Sequence, residues 1–406
     1  MTSSSSTDLP SLAGLRVLDF TQVLSGPFGT QVLGDLGAEI IKVEPLTGDA
    51  TRAMPPHFVA GDSAYYLSIN RNKRSLALDL KAPEGLALAR RLALVSDVVV
   101  ENFRPGVLAR LGLDVEELRR EKPDLVWCSI SGFGQTGPYR DKPAFDLTVQ
   151  ALSGGMSLTG ETGGRPVRAG LPIADIVAGL YGVIGILAAL NRRRETGRGD
   201  VVDVSMLDCQ AALLSYQAAF HLHSGAVPGP QGRGHASVVT YNTFTAGDGN
   251  EVVVAALTDA LWTKLCDAIA LPQLLADPRF ATGSLRLANR EPLTALLEAR
   301  FREAGADEWV GRLEAKGIPV AVVNTLDRVV GDPQIAARDM VASLAAEDGR
   351  RTRVIGDPLH MASAPRRPGR YPPALGEDTR AVLAEVLGLG GEEIEALCGS
   401  GVVKAR

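Results

Sequence analysis

One carboxylate stands where an apolar, glycine-rich segment begins. Asp175 lies within Leu171 to Leu190, which reads LPIADIVAGLYGVIGILAAL. A carboxylate at a helix start ordinarily caps backbone N–H groups and complements the helix dipole. A carboxylate in such an unusual setting can also be catalytic. The residue types alone leave both roles open, and capping is the commoner one.

Other catalytic motifs are missing from the sequence. It contains no GxSxG elbow, no P-loop and no HExxH, and the first strand is followed by SGPFGT instead of a GxGxxG fingerprint, which disfavours an NAD enzyme. Two histidines, His221 and His223, could share one face of a strand, but the sequence offers no third ligand. Four widely spaced cysteines indicate buried thiols. We therefore expect no metal site.

The elements that must position Asp175 alternate between strands and helices. Short apolar runs rich in β-branched residues are separated by segments of helical periodicity, such as Pro83 to Val95, and this alternation favours a parallel sheet with helices on both faces. The predicted strands include Leu15 to Phe20, Ala38 to Glu44 and Ser75 to Leu80. The fold class expected is α/β, with a large Rossmann-like parallel-sheet domain and a smaller α/β domain.

Changes in composition indicate the domain limits. Residues 1–220 form the large domain, which is completed by residues 340–406. A Gly- and Pro-rich stretch at Gly225 to Gly234 indicates a linker over residues 221–234. Residues 235–330 form the small domain, which opens with a hairpin turning at Gly247-Asp248-Gly249.

The bulk properties exclude several classes of protein. The chain has 406 residues and a net charge of -5, without a basic tract, so no nucleic-acid partner is expected. After Asp175 the apolar segment keeps about 15 positions, too few to cross a bilayer, and we expect a helix buried in protein on every side. The Ser-rich start, Met1 to Pro10, does not resemble a signal peptide, so a cytoplasmic location is expected.

Several segments, taken in order, resemble the class III CoA-transferase family, which includes formyl-CoA transferase, carnitine CoA-transferases and α-methylacyl-CoA racemase. They run over nearly the whole chain: LRVLDFTQVLSGPFGTQVLGDLGAEIIKVE, NRNKRSLALDLK, VENFRPGVLARLG, ISGFGQTGP, AFDLTVQALSG, ADIVAGLYG and TGRGDVVDVSM. In that family the Asp of the segment matching LPIADIVAG is the catalytic nucleophile, which implies this role for Asp175. The resemblance also implies an interlocked homodimer.

The resemblance implies a reaction as well. The Asp carboxylate attacks an acyl-CoA, passes through a mixed anhydride, and becomes an aspartyl-CoA thioester that an incoming acid resolves. CoA or acyl-CoA is the substrate, and no cofactor is permanently bound. The implied CoA-binding residues are Leu24, Ser25, Leu78, Lys81, Asn102, Phe103, Arg104, Arg110 and Phe145.

The same family contains racemases, which pair the Asp with a His in the segment that here reads KPAFDLTVQ. Phe145 stands at that position and cannot accept a proton, so the transferase is favoured over the racemase or isomerase alternative. An idle CoA-binding homologue is the remaining rival. The neighbouring Asp146 has two possible roles. It could cap a helix or form a salt bridge, or it could support the active site.

The segments AYYLSINRNKRS and RGHASVVTYNTF resemble members of the family that use dicarboxylates. The resemblance implies succinyl-CoA as donor and a small dicarboxylic or hydroxy acid as acceptor. A second substrate carboxylate needs a cationic partner when it is buried. The candidates are Arg52, Arg71, Arg168, Arg233 and His235.

Overall fold

The computed structural model describes residues 9–364 and 369–406. Most of the N-terminal stretch from which a cytoplasmic location is expected lies outside the described residues. The chain divides into two compact units. One is formed by residues 9–155, 168–216, 334–364 and 369–406 and the other by residues 156–167 and 217–333. The sequence did not indicate that 156–167 belongs with the second unit, or that the expected linker starts inside a helix.

The described residues contain helices and strands in alternation over the first half of the chain. The strands are β1 (Arg16–Asp19), β2 (Glu39–Glu44), β3 (Phe58–Val59), β4 (Asp62–Ser63), β5 (Lys73–Leu78), β6 (Val98–Glu101), β7 (Val126–Ser131), β8 (Val201–Ser205), β9 (Tyr241–Thr245), β10 (Glu251–Ala255), β11 (Val320–Val322), β12 (Val341–Ala345), β13 (Arg351–Ile355) and β14 (Val403–Lys404). The helices are α1 (Ser25–Asp35), α2 (Ala64–Ile69), α3 (Pro83–Leu94), α4 (Val107–Leu111), α5 (Val115–Glu121), α6 (Asp146–Leu152), α7 (Ile173–Thr196), α8 (Met206–Leu213), α9 (Ser215–Ser224), α10 (Asp259–Ala268), α11 (Gly283–Ala288), α12 (Arg290–Phe301), α13 (Ala306–Glu314), α14 (Leu326–Val330), α15 (Pro333–Ala337), α16 (Thr379–Leu387) and α17 (Gly391–Gly399).

The first unit is built on a seven-stranded sheet in the order β14-β5-β2-β1-β6-β7-β8. All neighbours are parallel except β14, which pairs antiparallel with β5 at the edge. The strand order reverses between β1 and β6, because the chain first builds outward through β2 and β5 and then returns to the other side. Two buried apolar clusters contain alternate residues of β1, Leu18 in one and Val17 in the other, and so cover the two faces. The predicted α/β class and parallel sheet are confirmed.

Helix α7 packs on the sheet through small residues. Of its buried positions, Ala174 and Ala178 share a core cluster with residues of β7, and Gly182 lies against Ile130 of that strand. Leu180, Tyr181 and Ile184 are exposed on its other side, at 40%, 42% and 59%. The prediction that this helix is buried all round is therefore wrong for the single chain, because only one face meets the core.

By length and composition α7 is the one helix in the described ranges apolar enough to cross a bilayer. Core helices of soluble proteins meet the same criteria. The packed face and the carboxylate of Asp175 within α7 favour a core helix, because an intramembrane carboxylate is costly.

Two glycines let α1 and α7 approach closely. A Cβ built on Gly179 would lie 2.4 Å from the carbonyl oxygen of Ser25, and one on Gly29 would lie 2.9 Å from the carbonyl oxygen of Gly179. Any larger residue would push the helix backbones apart. The contact brings the first residue of α1, Ser25, beside the first turns of α7.

The second unit has its own core around an antiparallel sheet in the order β11-β10-β9. The predicted hairpin is present, because β9 pairs with β10 across the turn at Gly247-Asp248-Gly249. Phe301 stacks on Phe244 and contacts Trp309 in this core. The expectation that His221 and His223 share a strand face is wrong, since both lie in helix α9.

Candidate active site

A cleft opens at the carboxyl ends of β1, β6 and β7. Its lining consists of residues 22–25, 102–105, 130–132 and 142–145, together with Arg140, Asp175 and Met206. The loops after β1 and β6 diverge here because the strand order reverses between these two strands. Open α/β sheets bind ligands at this kind of switch point, outside the carboxyl ends of the strands.

Asp175 is the third residue of α7 and lines the cleft. The helix is capped from outside by Asp146, whose Oδ1 accepts the backbone N–H of Ala174 at 2.8 Å and of Asp175 at 3.4 Å. Asp146 Oδ2 accepts from the side-chain amide of Gln150 at 2.7 Å. The capping role considered for Asp175 thus belongs to Asp146, and the carboxyl group of Asp175 is left for the cleft.

The environment of Asp175 disfavours its charged form. Burial, with the negative charge of Asp146 as a second cause, raises the pKa of Asp175 to about 7. A side-chain hydrogen bond with Ser25 acts in the opposite direction. A carboxyl group poised near neutral pH is typical of functional sites, because a desolvated carboxylate is a stronger base and nucleophile than a hydrated one.

The loop of residues 22–25 is held from one side by Asn102. The side-chain oxygen of Asn102 accepts the backbone N–H of Gln22 at 2.8 Å, and its amide group donates to the carbonyl oxygen of Gln22 at 2.8 Å and to Ser25 Oγ at 3.2 Å. Both N–H bonds of this side chain are therefore used within the protein.

The same loop is also held by the buried ion pair of Lys42 and Asp49. Lys42 Nζ donates to the carbonyl oxygen of Thr21 at 2.8 Å and to Asp49 Oδ2 at 2.9 Å, and both side chains of this ion pair are fully buried. Asp49 Oδ2 also accepts the N–H of Val23 at 3.3 Å. Val23 has φ of 65°, a left-handed conformation that is strained for a β-branched residue. Backbone strain of this kind persists only where surrounding contacts over-determine it.

The structure brings together most of the residues implied by the resemblance. Besides Asp175, the cleft is lined by Leu24, Ser25, Asn102, Phe103, Arg104 and Phe145. Leu78 and Lys81 do not line it: Leu78 is buried in the core, and Lys81 is exposed at the end of β5. Arg110 lies next to the lining, because its Nη1 is 3.1 Å from the position of a Cβ on Gly106.

Sequence reasoning missed two cations of the cleft. Arg140 and Lys142 line it, and both come from the segment GPYRDKP after β7. Arg140 Nη2 lies 3.5 Å from the same Gly106 Cβ position that Arg110 approaches, so two guanidinium groups converge there. The signal in the sequence was two basic residues next to the recognised ISGFGQTGP segment.

The five candidates for binding a second carboxylate differ in whether their side chains already have partners in the structure. Arg52 pairs with Glu44, Arg71 with Asp35, and Arg233 with Glu251, while the ring of His235 stacks on Tyr241. Arg168 is exposed and makes no ion pair within the described residues; its side chain donates to the carbonyl oxygen of Ala169 at 3.4 Å. Ala169 N–H donates in turn to Gln150, which holds Asp146.

Metal ligands are not clustered in the parts of the chain that the structure describes. No group of three or more His, Cys, Asp or Glu residues there has a spacing that could hold a metal ion.

Comparisons with known proteins identify the family of this chain. Residues 12–379 match the model of CoA-transferase family III. A succinate–glutarate CoA-transferase of Agrobacterium fabrum is 40% identical over 93% of this chain and 96% of its own length, and the human succinyl-CoA:glutarate CoA-transferase is 38% identical over 97% and 90%. A crystal structure of a CAIB/BAIF family protein from Brucella suis superposes with a TM-score of 0.83 at 39% identity, covering 93% of this chain and all of that one. The chain belongs to CoA-transferase family III and is a CoA-transferase.

Proposed function

We propose that the protein transfers CoA between carboxylic acids with Asp175 as a covalent nucleophile. The observation that supports this most directly is the position of the Asp175 carboxyl group, in the cleft and released from capping by Asp146. The match of the chain to the family extends across this segment.

The proposed steps conserve atoms and charge. The Asp175 carboxylate attacks the carbonyl carbon of the donor acyl-CoA, the C–S bond breaks, and a mixed anhydride and CoA thiolate result. The thiolate attacks Cγ of Asp175 and expels the donor acid as a carboxylate, leaving an aspartyl-CoA thioester. The acceptor carboxylate then attacks Cγ and releases thiolate, which attacks the acceptor acyl carbon and regenerates Asp175. Covalent catalysis divides one difficult exchange into easier steps and consumes no ATP.

The surroundings of the cleft suit this chemistry. Helix α1 begins at Ser25, at the edge of the cleft, and the first turn of a helix carries N–H groups without intrahelical acceptors. Such donors stabilise the tetrahedral oxyanions that form on acyl transfer. The basic side chains at the cleft are suited to the phosphates of CoA, because guanidinium and ammonium groups form charge-assisted hydrogen bonds with phosphate oxygens. These side chains are Arg104, Arg110, Arg140 and Lys142.

Succinyl-CoA is the proposed donor, with a small dicarboxylic or hydroxy acid as acceptor. The names of the relatives support this, since the bacterial and human enzymes are named for succinate or succinyl-CoA and glutarate. Of the five candidates we assign the free carboxylate of the substrate to Arg168. It is linked through Ala169 and Gln150 to Asp146, whereas the other four are held in ion pairs or by ring stacking.

A homodimer is proposed from the exposed apolar face of α7. Leu180, Tyr181 and Ile184 form this face, and water-exposed apolar patches on a long helix favour a protein partner. The proposed partner is a second copy of the chain, consistent with the interlocked dimer that the resemblance implies. Light scattering that gives a monomer mass at micromolar concentration would reject the dimer.

We place the protein in the cytoplasm, without a membrane or nucleic-acid partner, on the grounds of its sequence.

The racemase alternative has less support. None of the described residues that line the cleft is a histidine, and Phe145 has an exposed side chain there, at 73%. A phenyl ring cannot exchange the α-proton that racemisation requires.

Covalent labelling tests the proposal. Incubation with succinyl-CoA followed by hydroxylamine should convert Asp175 to a hydroxamate that mass spectrometry finds on its peptide. Asp175→Ala should abolish both the label and the turnover while the fold persists. Asp208→Ala, a carboxylate elsewhere in the same unit, is the control and should keep both. Full turnover by Asp175→Ala, or a label found only on Glu101 or Cys128, would refute Asp175 as the nucleophile.

A further inference from the structure

Asn102 lines the cleft, but its side-chain hydrogen bonds are made within the protein. Although the resemblance implies CoA binding, its amide oxygen and both N–H bonds are used on Gln22 and Ser25, at 2.8, 2.8 and 3.2 Å. A carboxamide has two N–H donors, so the side chain has none left for the cleft.

This arrangement fixes the direction of the Ser25 hydroxyl. Ser25 is 4% exposed, and its Oγ accepts a hydrogen bond from Asn102. A hydroxyl group has one hydrogen, and that hydrogen remains available to donate. Ser25 and Asp175 line the same cleft, where α1 approaches α7 closely, and a side-chain hydrogen bond with Ser25 opposes the rise in the pKa of Asp175. The three side chains thus form a chain whose polarity runs from the amide to the carboxylate.

We propose that Asn102 is a positioning residue that acts through Ser25, holding the Ser25 hydroxyl as a hydrogen-bond donor to the carboxylate of Asp175. This inference rests on the proposed function of Asp175. The hydrogen bond favours the ionised form of the desolvated carboxyl group and directs it into the cleft. It also meets the oxyanion that forms on the Asp175 side chain when CoA thiolate attacks Cγ, where a preorganised donor lowers the barrier.

Other groups act on Asp175 and define what the hydrogen bonds must oppose. Asp146 on α6 disfavours its ionisation, and the Tyr65 hydroxyl on α2 interacts with it electrostatically. Three cations also line the cleft: Arg104, Arg140 and Lys142. Asn102 holds the backbone of Gln22 as well as Ser25, so the effect that passes through the Ser25 hydroxyl has to be measured by comparison with a variant that lacks it.

The test is a titration of the Asp175 carboxyl group without substrate. Aspartate labelled with 13C at Cγ gives carboxyl resonances, and the signal of Asp175 is the one that disappears in Asp175→Asn. Ser25→Ala and Asn102→Ala should each raise the midpoint by about one pH unit, as expected for a lost hydrogen bond to a charged group. Asn102→Asp should raise it at least as far, because an added carboxylate takes the Ser25 proton and also repels the charge.

The double variant decides between positioning and mere packing. In the Ser25→Ala background, Asn102→Ala should cause no further shift, since the hydroxyl through which it acts is absent. A midpoint unchanged in Asn102→Ala, or a shift of the same size with and without Ser25, overturns the proposal. If Asn102→Ala does not fold, Asn102→Leu, which is uncharged and similar in size to Asn, provides the same comparison. Because the titration needs no turnover, an active Asp175→Ala would refute the proposed nucleophile without changing this result.

Discussion

Asp146 caps the helix that carries Asp175, with its Oδ1 at 2.8 Å from the N–H of Ala174 and 3.4 Å from that of Asp175 itself. Asp146 thus caps the helix, a role that the sequence analysis considered for Asp175. The proximity has an electrostatic consequence, since the charge of Asp146 is the second cause of the raised pKa of Asp175. The cap therefore positions the proposed nucleophile and, together with burial, raises its pKa.

The pH dependence of transfer should follow Asp175. The attacking species is the carboxylate, so turnover should rise with pH through about 7, the pKa of Asp175 in its buried site. Asp146→Asn removes a negative charge that opposes ionisation, so the midpoint should move to lower pH by roughly one unit. Initial rates from pH 5 to 9 measure this shift, which is opposite in sign to that expected for Ser25→Ala.

Glu101 must be separated from this effect, because burial also raises its pKa to about 7. A Glu101→Gln variant that keeps the wild-type midpoint assigns the profile to Asp175. Glu314→Gln, an exposed carboxylate in the second unit, is the charge control for Asp146→Asn. A midpoint that stays in place in Asp146→Asn would contradict the assignment.

Close approach of α1 and α7 should be essential for activity. A Cβ on Gly179 would lie 2.4 Å from the Ser25 carbonyl oxygen, so Gly179→Ala must separate the two helices or shift Ser25 from Asp175. We expect a loss of stability of about 1–3 kcal/mol, typical of overpacking, and a fall in kcat well beyond the change in folded fraction. Gly391→Ala is the matched control, because no atom lies within 4 Å of its Cβ position. Wild-type kcat in Gly179→Ala would show that this contact is dispensable.

Local patterns in the sequence predicted the sheet, but they did not predict how the loops are fixed. The apolar runs of β1, β2 and β5 identify buried strands, and a buried parallel strand is recognisable from its own residues. By contrast, Lys42 and Lys73 lie inside those strands with their side chains fully buried against Asp49 and Asp19. A charged residue in a strand is predicted to face solvent, because the sequence does not show the partner that would allow it to be buried.

The site shows the same limit. The resemblance to the family identified the segments that meet at the cleft, including the one that carries Asp175. It did not reveal that Asn102 and Gln22, which are 80 residues apart, bind each other. It also did not reveal that Asp146 caps a helix beginning 27 residues later, at Ile173. Hydrogen bonds between loops depend on the assembled sheet and leave no periodic signal in the sequence.

Arg110 should contribute to affinity for CoA and not to the chemical steps. Its guanidinium group lies beside Gly106, where that of Arg140 also converges. Charge-assisted contacts to phosphate are worth about 1.5–3 kcal/mol, so Arg110→Ala should raise the KM for acyl-CoA about tenfold with little change in kcat. Arg302→Ala, an exposed arginine of the second unit, is the control. An unchanged KM would mean that Arg110 only faces solvent.

The choice of donor should depend on Arg168. A succinyl donor brings a second carboxylate, and burying it without a cationic partner would cost several kcal/mol, whereas butyryl-CoA has an apolar end of similar length. Wild-type kcat/KM should therefore favour succinyl-CoA over butyryl-CoA. Arg168→Gln should reduce the value for succinyl-CoA about tenfold, or about 1.4 kcal/mol of transition-state binding, and leave that for butyryl-CoA nearly unchanged.

Measuring both donors in wild type and in Arg168→Gln tests the role of Arg168 separately from the choice of donor. Arg302→Gln provides the matched control for loss of a surface charge and should leave both values unchanged. An equal loss for both donors in Arg168→Gln would assign Arg168 to the support of Ala169 and Gln150 instead of to the substrate. If butyryl-CoA is preferred by wild type about tenfold, the dicarboxylate proposal is wrong, while transfer through Asp175 still stands on the hydroxamate label.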